Sequence, residues 1–180
     1  MAGRIDIIMG CMFSGKSTEI IKLINRYRVL GKKIMIINHK SDNRYKENSI
    51  VTHDKISIDS ICVSNLDTIK TNCQYNTSDV IVIEEAQFFD NLYEFATTAA
   101  DIDKKIVIVV GLDGDSNRNQ FGDILKLIPH CETVTKLHAL CVKCKDGTPA
   151  CFSKRLINND RQVLIGVDEY IAVCRFHYLE

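Results

Sequence analysis

The sequence predicts an α/β protein with a mainly parallel sheet, helices on both faces of the sheet, and a small C-terminal unit rich in cysteine. Two observations carry this prediction. Apolar, β-branched runs alternate along the chain with segments of helical periodicity, which is the pattern of βαβ units. Near residue 134 the alternation stops, and paired cysteines appear around short strand-like runs. We therefore predict two domains, residues 1–133 and 134–180.

The first βαβ unit follows directly from its residues. The apolar run at residues 4–9 predicts a strand, and residues 17–30 carry apolar side chains at helical spacing. Gly31 marks the end of that helix, before a buried strand at residues 33–38. The other elements predicted in the same way are strands at residues 79–85 and 105–113 and a helix at about residues 89–100.

Composition and charge exclude several classes of function. With 46% hydrophobic and 26% charged residues, the 180-residue chain is ordinary for a globular protein with one main core. Lys plus Arg equals Asp plus Glu at 23 each, so no net positive field holds a polynucleotide, and we expect no nucleic-acid partner. No apolar run reaches the length of a membrane span, and the N-terminus is unlike a signal peptide, so we expect no membrane association and a cytoplasmic location.

A glycine-rich loop follows the first predicted strand. Residues 10–17, GCMFSGKS, fit the pattern G-x-x-x-x-G-K-[ST], in which backbone N–H groups and a helix N-terminus face a phosphate. Lys16 would reach the β and γ phosphates, and Ser17 would ligate Mg²⁺. The first domain is therefore predicted to be P-loop NTPase-like. The residues expected to contact the nucleotide are Gly10, Cys11, Met12, Phe13, Ser14, Gly15, Lys16, Ser17 and Thr18.

Two adjacent carboxylates end another buried strand. Glu84 and Glu85 directly follow the run VIVI. An acidic residue at such a strand end completes the metal site of a phosphate loop. Because successive strand residues point to opposite faces, we expect different roles for the two: one carboxylate holds the Mg²⁺ shell and the other faces the phosphate acceptor.

The cysteines indicate a metal site rather than disulfides, since a cytosolic chain lies among reducing thiols. The pairs Cys141/Cys144 and Cys174/His177, each separated by two residues, supply four ligands that suit tetrahedral, structural Zn²⁺. Cys151 is the alternative to His177 as the fourth ligand. The cysteines expected to be small core residues are Cys62, Cys73 and Cys131.

The motifs MFSGKSTE, EEAQFF and GLDGD, followed by the paired-cysteine tail, resemble the type II thymidine kinases of cells and large DNA viruses. The resemblance spans nearly the whole chain. It implies that Glu85 accepts the proton of a 5′-hydroxyl and that Glu84 replaces the usual Walker B Asp at Mg²⁺. The polar segment at residues 39–55 has no hydrophobic period and is predicted to be a loop, and residues 41–54 within it resemble a segment of the family. By that resemblance Arg44 stabilises the transferring phosphoryl group, while Asp42 orients Arg44 or the metal shell.

The resemblance also implies a nucleoside pocket. Ser116 and Asn117 stand where the family often has an aromatic residue, which predicts looser base selectivity. Cys11 replaces a common Pro of the family, an exchange that the loop is expected to tolerate. Residues 153–155 and 163–170 resemble a lasso loop that is pinned by zinc and folds over the base, with Ser153 in place of a Thr. The residues expected to contact the nucleoside are Met12, Phe88, Leu112, Phe121, Ser153, Val163, Gly166 and Tyr170.

The function implied by this resemblance is ATP-dependent phosphorylation of thymidine, and of deoxyuridine, in the salvage of DNA precursors. ATP, Mg²⁺ and structural Zn²⁺ are the implied cofactors, a homotetramer is the implied assembly, and feedback inhibition by dTTP is left open. Removal of zinc is expected to disorder residues 145–173 and to weaken nucleoside binding more than ATP binding.

Two alternatives stand beside this function. One is another P-loop enzyme, either a nucleotide kinase or a GTPase; the guanine-reading sequence Asn-Lys-x-Asp is absent from the chain, which weighs against the GTPase. The other is a zinc-ribbon binding module whose ATP site only regulates a partner.

Overall fold

The computed structural model describes residues 2–41, 49–51, 57–157, 162 and 169–180. In chain order the strands are β1 (Arg4–Gly10), β2 (Ile34–His39), β3 (Ser49–Val51), β4 (Ser57–Asp59), β5 (Ile61–Val63), β6 (Val80–Ile83), β7 (Ile106–Gly111), β8 (Thr133–Leu137), β9 (Ala139–Leu140), β10 (Pro149–Ala150), β11 (Phe152–Arg155) and β12 (Tyr170–Val173). The α-helices are α1 (Lys16–Val29), α2 (Asp67–Lys70), α3 (Cys73–Thr77), α4 (Leu92–Asp101) and α5 (Arg175–Leu179). Two 3₁₀ helices span Ala86–Phe88 and Ile124–His130.

Six strands form one sheet in the order β5-β2-β6-β7-β1-β8, and every neighbouring pair in it is parallel. The mainly parallel sheet predicted from the sequence is therefore confirmed. Its carboxyl ends bring together the segments that follow β1, β2, β6 and β7, because parallel strands all end at the same edge. This edge carries the glycine loop and both adjacent carboxylates.

Helices cover both faces of the sheet, as predicted. On one face α1 buries Ile20, Ile21 and Ile24 against strand residues such as Val82 and Ile108. On the other face α4 buries an apolar stripe that includes Phe95 against a cluster of strand side chains. Alternation along each strand supplies both clusters, since neighbouring strand residues point to opposite faces. None of the helices in the described part of the chain is long and apolar enough to cross a membrane.

A smaller C-terminal unit follows the sheet. It consists of the antiparallel pairs β9–β10 and β11–β12 together with α5. The strand β8, at residues 133–137, pairs with β1 and so belongs to the main sheet. The boundary predicted between residues 133 and 134 therefore falls at the start of a sheet strand, and the main sheet extends to Leu137. We call residues 139–157 and 169–180 the zinc unit, for the metal cluster described below.

Two expectations about individual residues need correction. The strand predicted at residues 79–85 ends at Ile83, so Glu84 and Glu85 lie in the turn behind it rather than within it. Cys73 is exposed at the start of α3, and the prediction that it is a core residue is wrong, because α3 lies in a polar segment that buries only Tyr75. Cys62 and Cys131 are partly buried.

Candidate active site

The glycine loop joins β1 to α1. Gly15 has φ 83° and ψ 19°, a left-handed conformation that glycine adopts without steric cost, and α1 begins at the next residue. At Gly10 a Cβ atom would lie 2.3 Å from the carbonyl oxygen of Leu137, so a glycine is needed where the loop passes β8. Lys16 Nζ donates hydrogen bonds to the carbonyl oxygens of Gly10 and Cys11, at 3.1 and 2.9 Å. The ammonium and the N-terminus of α1 together favour an anion at this loop.

Glu84 lies beside the glycine loop. It follows β6, is buried, and its backbone N–H donates to the carbonyl oxygen of Ile37 at 2.8 Å. Ser17 Oγ donates a hydrogen bond to Glu84 Oε1, also at 2.8 Å. A hydroxyl and a carboxylate are oxygen ligands of the kind that Mg²⁺ takes beside nucleotide phosphates. The fold thus brings together the two side chains that the sequence assigned to one metal ion.

Glu85 departs from strand geometry. Its backbone is left-handed, with φ 49° and ψ 40°, which is uncommon for a residue with a Cβ atom. The chain turns sharply here from β6 into the 3₁₀ helix Ala86–Phe88. The half-buried carboxylate accepts a hydrogen bond from Gln87 Nε2. Strained residues of this kind concentrate at functional sites, so the turn agrees with separate roles for the two adjacent carboxylates.

Aromatic rings assemble near the carboxyl ends of the central strands. The rings of Phe88 and Phe121 meet edge to face, with centroids 5.5 Å apart. The imidazole of His39, at the end of β2, lies 5.5 Å from the Phe88 ring, and burial lowers its pKa, which favours a neutral ring. Leu112 follows β7, and its N–H donates to Gln87 Oε1 at 3.1 Å. Gln87 and His39 were missed by the sequence prediction; for Gln87 the signal was its place within EEAQFF.

The zinc unit contacts the glycine loop directly. Cys11 Sγ donates to the carbonyl oxygen of Ala150 at 3.3 Å, and Cys11 belongs to the small buried cluster of that unit. The N–H of Met12 donates to Ser153 Oγ at 2.9 Å. Ser153 was expected at the nucleoside; in the structure its buried hydroxyl holds the backbone of the glycine loop. The zinc unit therefore supports the phosphate-binding segment.

The remaining predicted site residues fall into three groups. Tyr170 in β12 is buried, and its hydroxyl accepts hydrogen bonds from Arg155 Nε and Nη2 at 3.2 and 2.9 Å. Phe13, Ser14 and Thr18 lie along the glycine loop and the first turn of α1, as the motif requires. The predicted residues that lie outside the described part of the chain are Asp42, Arg44, Val163 and Gly166.

Four potential metal ligands converge in the zinc unit. One ligand atom from each of Cys141, Cys144, Cys174 and His177 lies within 4.8 Å of all the others. His177 Nδ1 is 3.5, 3.3 and 3.4 Å from the three sulfur atoms, in the order of the cysteines given. Cys151 is not in this cluster, so the structure favours His177 over Cys151 as the fourth ligand.

The donor set of this cluster fits zinc. Three thiol groups and one imidazole are the ligands of closed tetrahedral zinc sites, which are structural because no position remains for water. The backbone N–H of His177 is the main cause that lowers the pKa of the Cys174 thiol, and this favours the thiolate form that binds metal. One pair of ligands precedes β10 and the other flanks the start of α5, so a bound metal would join the two ends of the unit.

Comparisons with known proteins show the family of the chain. A family model described as thymidine kinase matches residues 3–178. The chain is 43% identical to thymidine kinase a of Arabidopsis thaliana, over 99% of this chain and 76% of the plant protein. It is 42% identical to the thymidine kinase of rabbit fibroma virus (strain Kasza), over 98% of this chain and 96% of the viral protein. Thymidine kinase 1 of Dictyostelium discoideum is 40% identical over 99% of this chain. The chain therefore belongs to the thymidine kinase family.

Proposed function

We propose that the protein transfers the γ-phosphate of ATP to the 5′-hydroxyl of thymidine and so produces thymidine monophosphate and ADP. The observation that carries the proposal is the hydrogen bond between Ser17 and Glu84. This hydrogen bond joins the phosphate loop to the end of β6, where Glu85 is the next residue. Membership of the family supplies the identity of the two substrates.

The phosphate side of the site would be formed by the loop at residues 10–17. Backbone N–H groups and the ammonium of Lys16 would bind the β and γ phosphates and neutralise charge that develops on the transferring group. Ser17 and Glu84 would hold Mg²⁺, which supplies further positive charge to these phosphates. Arg44 and Asp42 are proposed for the same transferring group on the family resemblance alone.

Glu85 would act on the acceptor. Its carboxylate would accept the proton of the 5′-hydroxyl while the hydroxyl oxygen forms a bond to the γ-phosphorus and the bond from that phosphorus to the β–γ bridging oxygen of ATP breaks. The bonding electron pair then leaves with ADP. Two features support separate roles for the adjacent carboxylates: the backbone turn at Glu85 and the hydrogen bond that joins Glu84 to Ser17.

The nucleoside would lie against the aromatic and apolar side chains behind Glu85. Flat rings can stack on a base while backbone groups bind its edges. Supporting this placement, Phe88 and Phe121 are in contact and Leu112 is tied to the same segment through Gln87. The full proposed set is Met12, Phe88, Leu112, Phe121, Ser153, Val163, Gly166 and Tyr170.

Cofactors and assembly complete the proposal. Zinc at the four-ligand cluster would be structural and would fix the zinc unit against the glycine loop. Deoxyuridine as a second substrate, a homotetramer, inhibition by dTTP and a cytoplasmic location are supported by the family resemblance alone.

Label transfer tests the proposed function. With ATP labelled at the γ-phosphate, Mg²⁺ and thymidine, the expected product is labelled thymidine monophosphate. Labelled diphosphate formed only from added thymidine monophosphate would instead indicate a nucleotide kinase. Labelled free phosphate alone would indicate a binding module with a regulatory ATP site. Lys16→Met, which removes the ammonium and keeps the side-chain length, is the control that should remove labelling.

A further inference from the structure

We propose that Gln87 is a positioning residue that holds the carboxylate of Glu85 in its reactive orientation. This rests on the proposed role of Glu85 as the proton acceptor. The sequence motifs assign no function to Gln87. Its contacts join the turn that carries Glu85 to the end of the neighbouring strand β7.

The side-chain amide of Gln87 is used at both ends. Its Nε2 donates to Glu85 Oε2 at 2.5 Å, and its Oε1 accepts the N–H of Leu112 at 3.1 Å. A carboxylate oxygen only accepts and a backbone N–H only donates, so a single orientation of the amide satisfies both partners. The backbone of Leu112 thus fixes the orientation of the Gln87 amide, and the amide in turn fixes Glu85 Oε2.

The surroundings of Gln87 leave it little freedom. Gln87 is buried, with 3% of the residue exposed. A Cβ atom added at Gly111 would lie 2.3 Å from Gln87 Oε1, and one added at Gly122 would lie 2.3 Å from the Gln87 carbonyl oxygen. Two glycines thus make room for this residue on the side of β7 and on the side of the following loop. A buried amide held at both ends has one arrangement, as a positioning group requires.

The chemistry explains why Glu85 needs such a partner. It stands in a turn with left-handed backbone, outside the regular structure that would restrict its side chain. A carboxylate that rotates freely spends little time aligned with a hydroxyl that must be in line with the γ-phosphate. The hydrogen bond from Gln87 Nε2 to Oε2 restricts that rotation. The effect should appear in the chemical step and leave nucleoside binding largely unchanged.

Two replacements of similar length test the proposal. Gln87→Met removes both hydrogen bonds, and Gln87→Glu keeps an acceptor for Leu112 but replaces the donor by a second carboxylate. We expect kcat to fall by about 10- to 100-fold in both variants, the size expected when a reactive group is misplaced by about 1 Å, with both KM values changed by less than about threefold. Gln74→Met, at an exposed glutamine of α3, is the matched control and should retain its kcat.

A double-mutant cycle separates positioning from general support of the fold. If Gln87 acts through Glu85, then Gln87→Glu should cost almost nothing further in kcat when Glu85→Gln is already present. An unchanged kcat in Gln87→Glu, or an equal further loss in the Glu85→Gln background, would overturn the proposal. The single variant Glu85→Gln reports separately on the proposed function: if its turnover is normal, the role of Glu85 is wrong, and the positioning role falls with it. Gln87→Glu decides the matter even if Gln87→Met does not fold.

Discussion

Replacing Glu85 with glutamine is expected to remove turnover and to leave thymidine binding largely intact. Glutamine has the same shape but cannot accept the proton of the 5′-hydroxyl. General-base catalysis contributes roughly 10²- to 10⁴-fold, so kcat should fall by about that factor. The Kd of thymidine, measured by calorimetry on the variant, should change little because the side chains of the proposed nucleoside pocket are retained.

The control for this variant is Glu94→Gln. Glu94 is an exposed carboxylate in the first turn of α4, so its replacement makes the same change of charge at a site without a proposed role. Its kcat should equal that of the unmodified protein. The opposite pattern in Glu85→Gln, a normal rate of phosphoryl transfer in a single turnover with thymidine binding lost, would assign Glu85 to the nucleoside rather than to chemistry.

Removal of zinc should increase the mobility of the phosphate loop as well as that of residues 145–173, which are expected to fold over the nucleoside. The sequence alone predicts that nucleoside binding suffers more than ATP binding. In the structure Cys11 and Met12 of the phosphate loop donate hydrogen bonds to the zinc unit. Because these contacts hold the phosphate loop, the affinity for ATP should fall as well. Structural zinc contributes roughly 10 kcal/mol or more to the folding of isolated zinc fingers at pH 7. Its loss should therefore unfold the zinc unit. The measurement is the rate of hydrogen exchange at the Met12 amide. After a chelator has removed the zinc and Mg²⁺ has been added back, this rate should be at least about 10-fold higher.

Ser153 variants test the contact between the phosphate loop and the zinc unit while the metal is still bound. Ser153→Ala removes the acceptor of the Met12 N–H, and the loss of one hydrogen bond, about 1 kcal/mol, should weaken ATP binding by about fivefold. Ser153→Thr keeps the hydroxyl and should retain affinity. If a metal-depleted protein shows the same Met12 exchange rate and the same Kd for ATP, then the zinc unit does not support the phosphate loop.

Local sequence signals were enough to predict the elements that build the site. β-branched runs predicted β1, β2, β6 and β7 to within about two residues, because fully buried parallel strands require continuous apolar sequence. The glycine loop and the two adjacent carboxylates were predicted from motifs whose chemistry depends on short spacing. The pair Ser17 and Glu84, 67 positions apart, could be anticipated only because phosphate loops need an acidic partner on a neighbouring strand.

Contacts without such a motif could not be predicted. The order of the strands depends on pairings between distant segments, such as β1 with β8, which no local pattern reveals. Gln87 reaches Leu112 across 25 positions, and Met12 reaches Ser153 across 141. The choice between Cys151 and His177 likewise depended on the folded positions of two similar candidates. Each of these groups has many potential partners along the sequence, and only the folded chain selects one of them.

The most direct test of the proposed chemistry is the distance between the Glu85 carboxylate and the 5′-oxygen of thymidine in a complex with a nonhydrolysable ATP analogue. We expect a separation of about 2.6–3.2 Å, the range for direct proton transfer, with the γ-phosphate in the loop at residues 10–17. A complex in which Glu85 points away from the nucleoside into solvent, with another group on the 5′-oxygen, would contradict the mechanism.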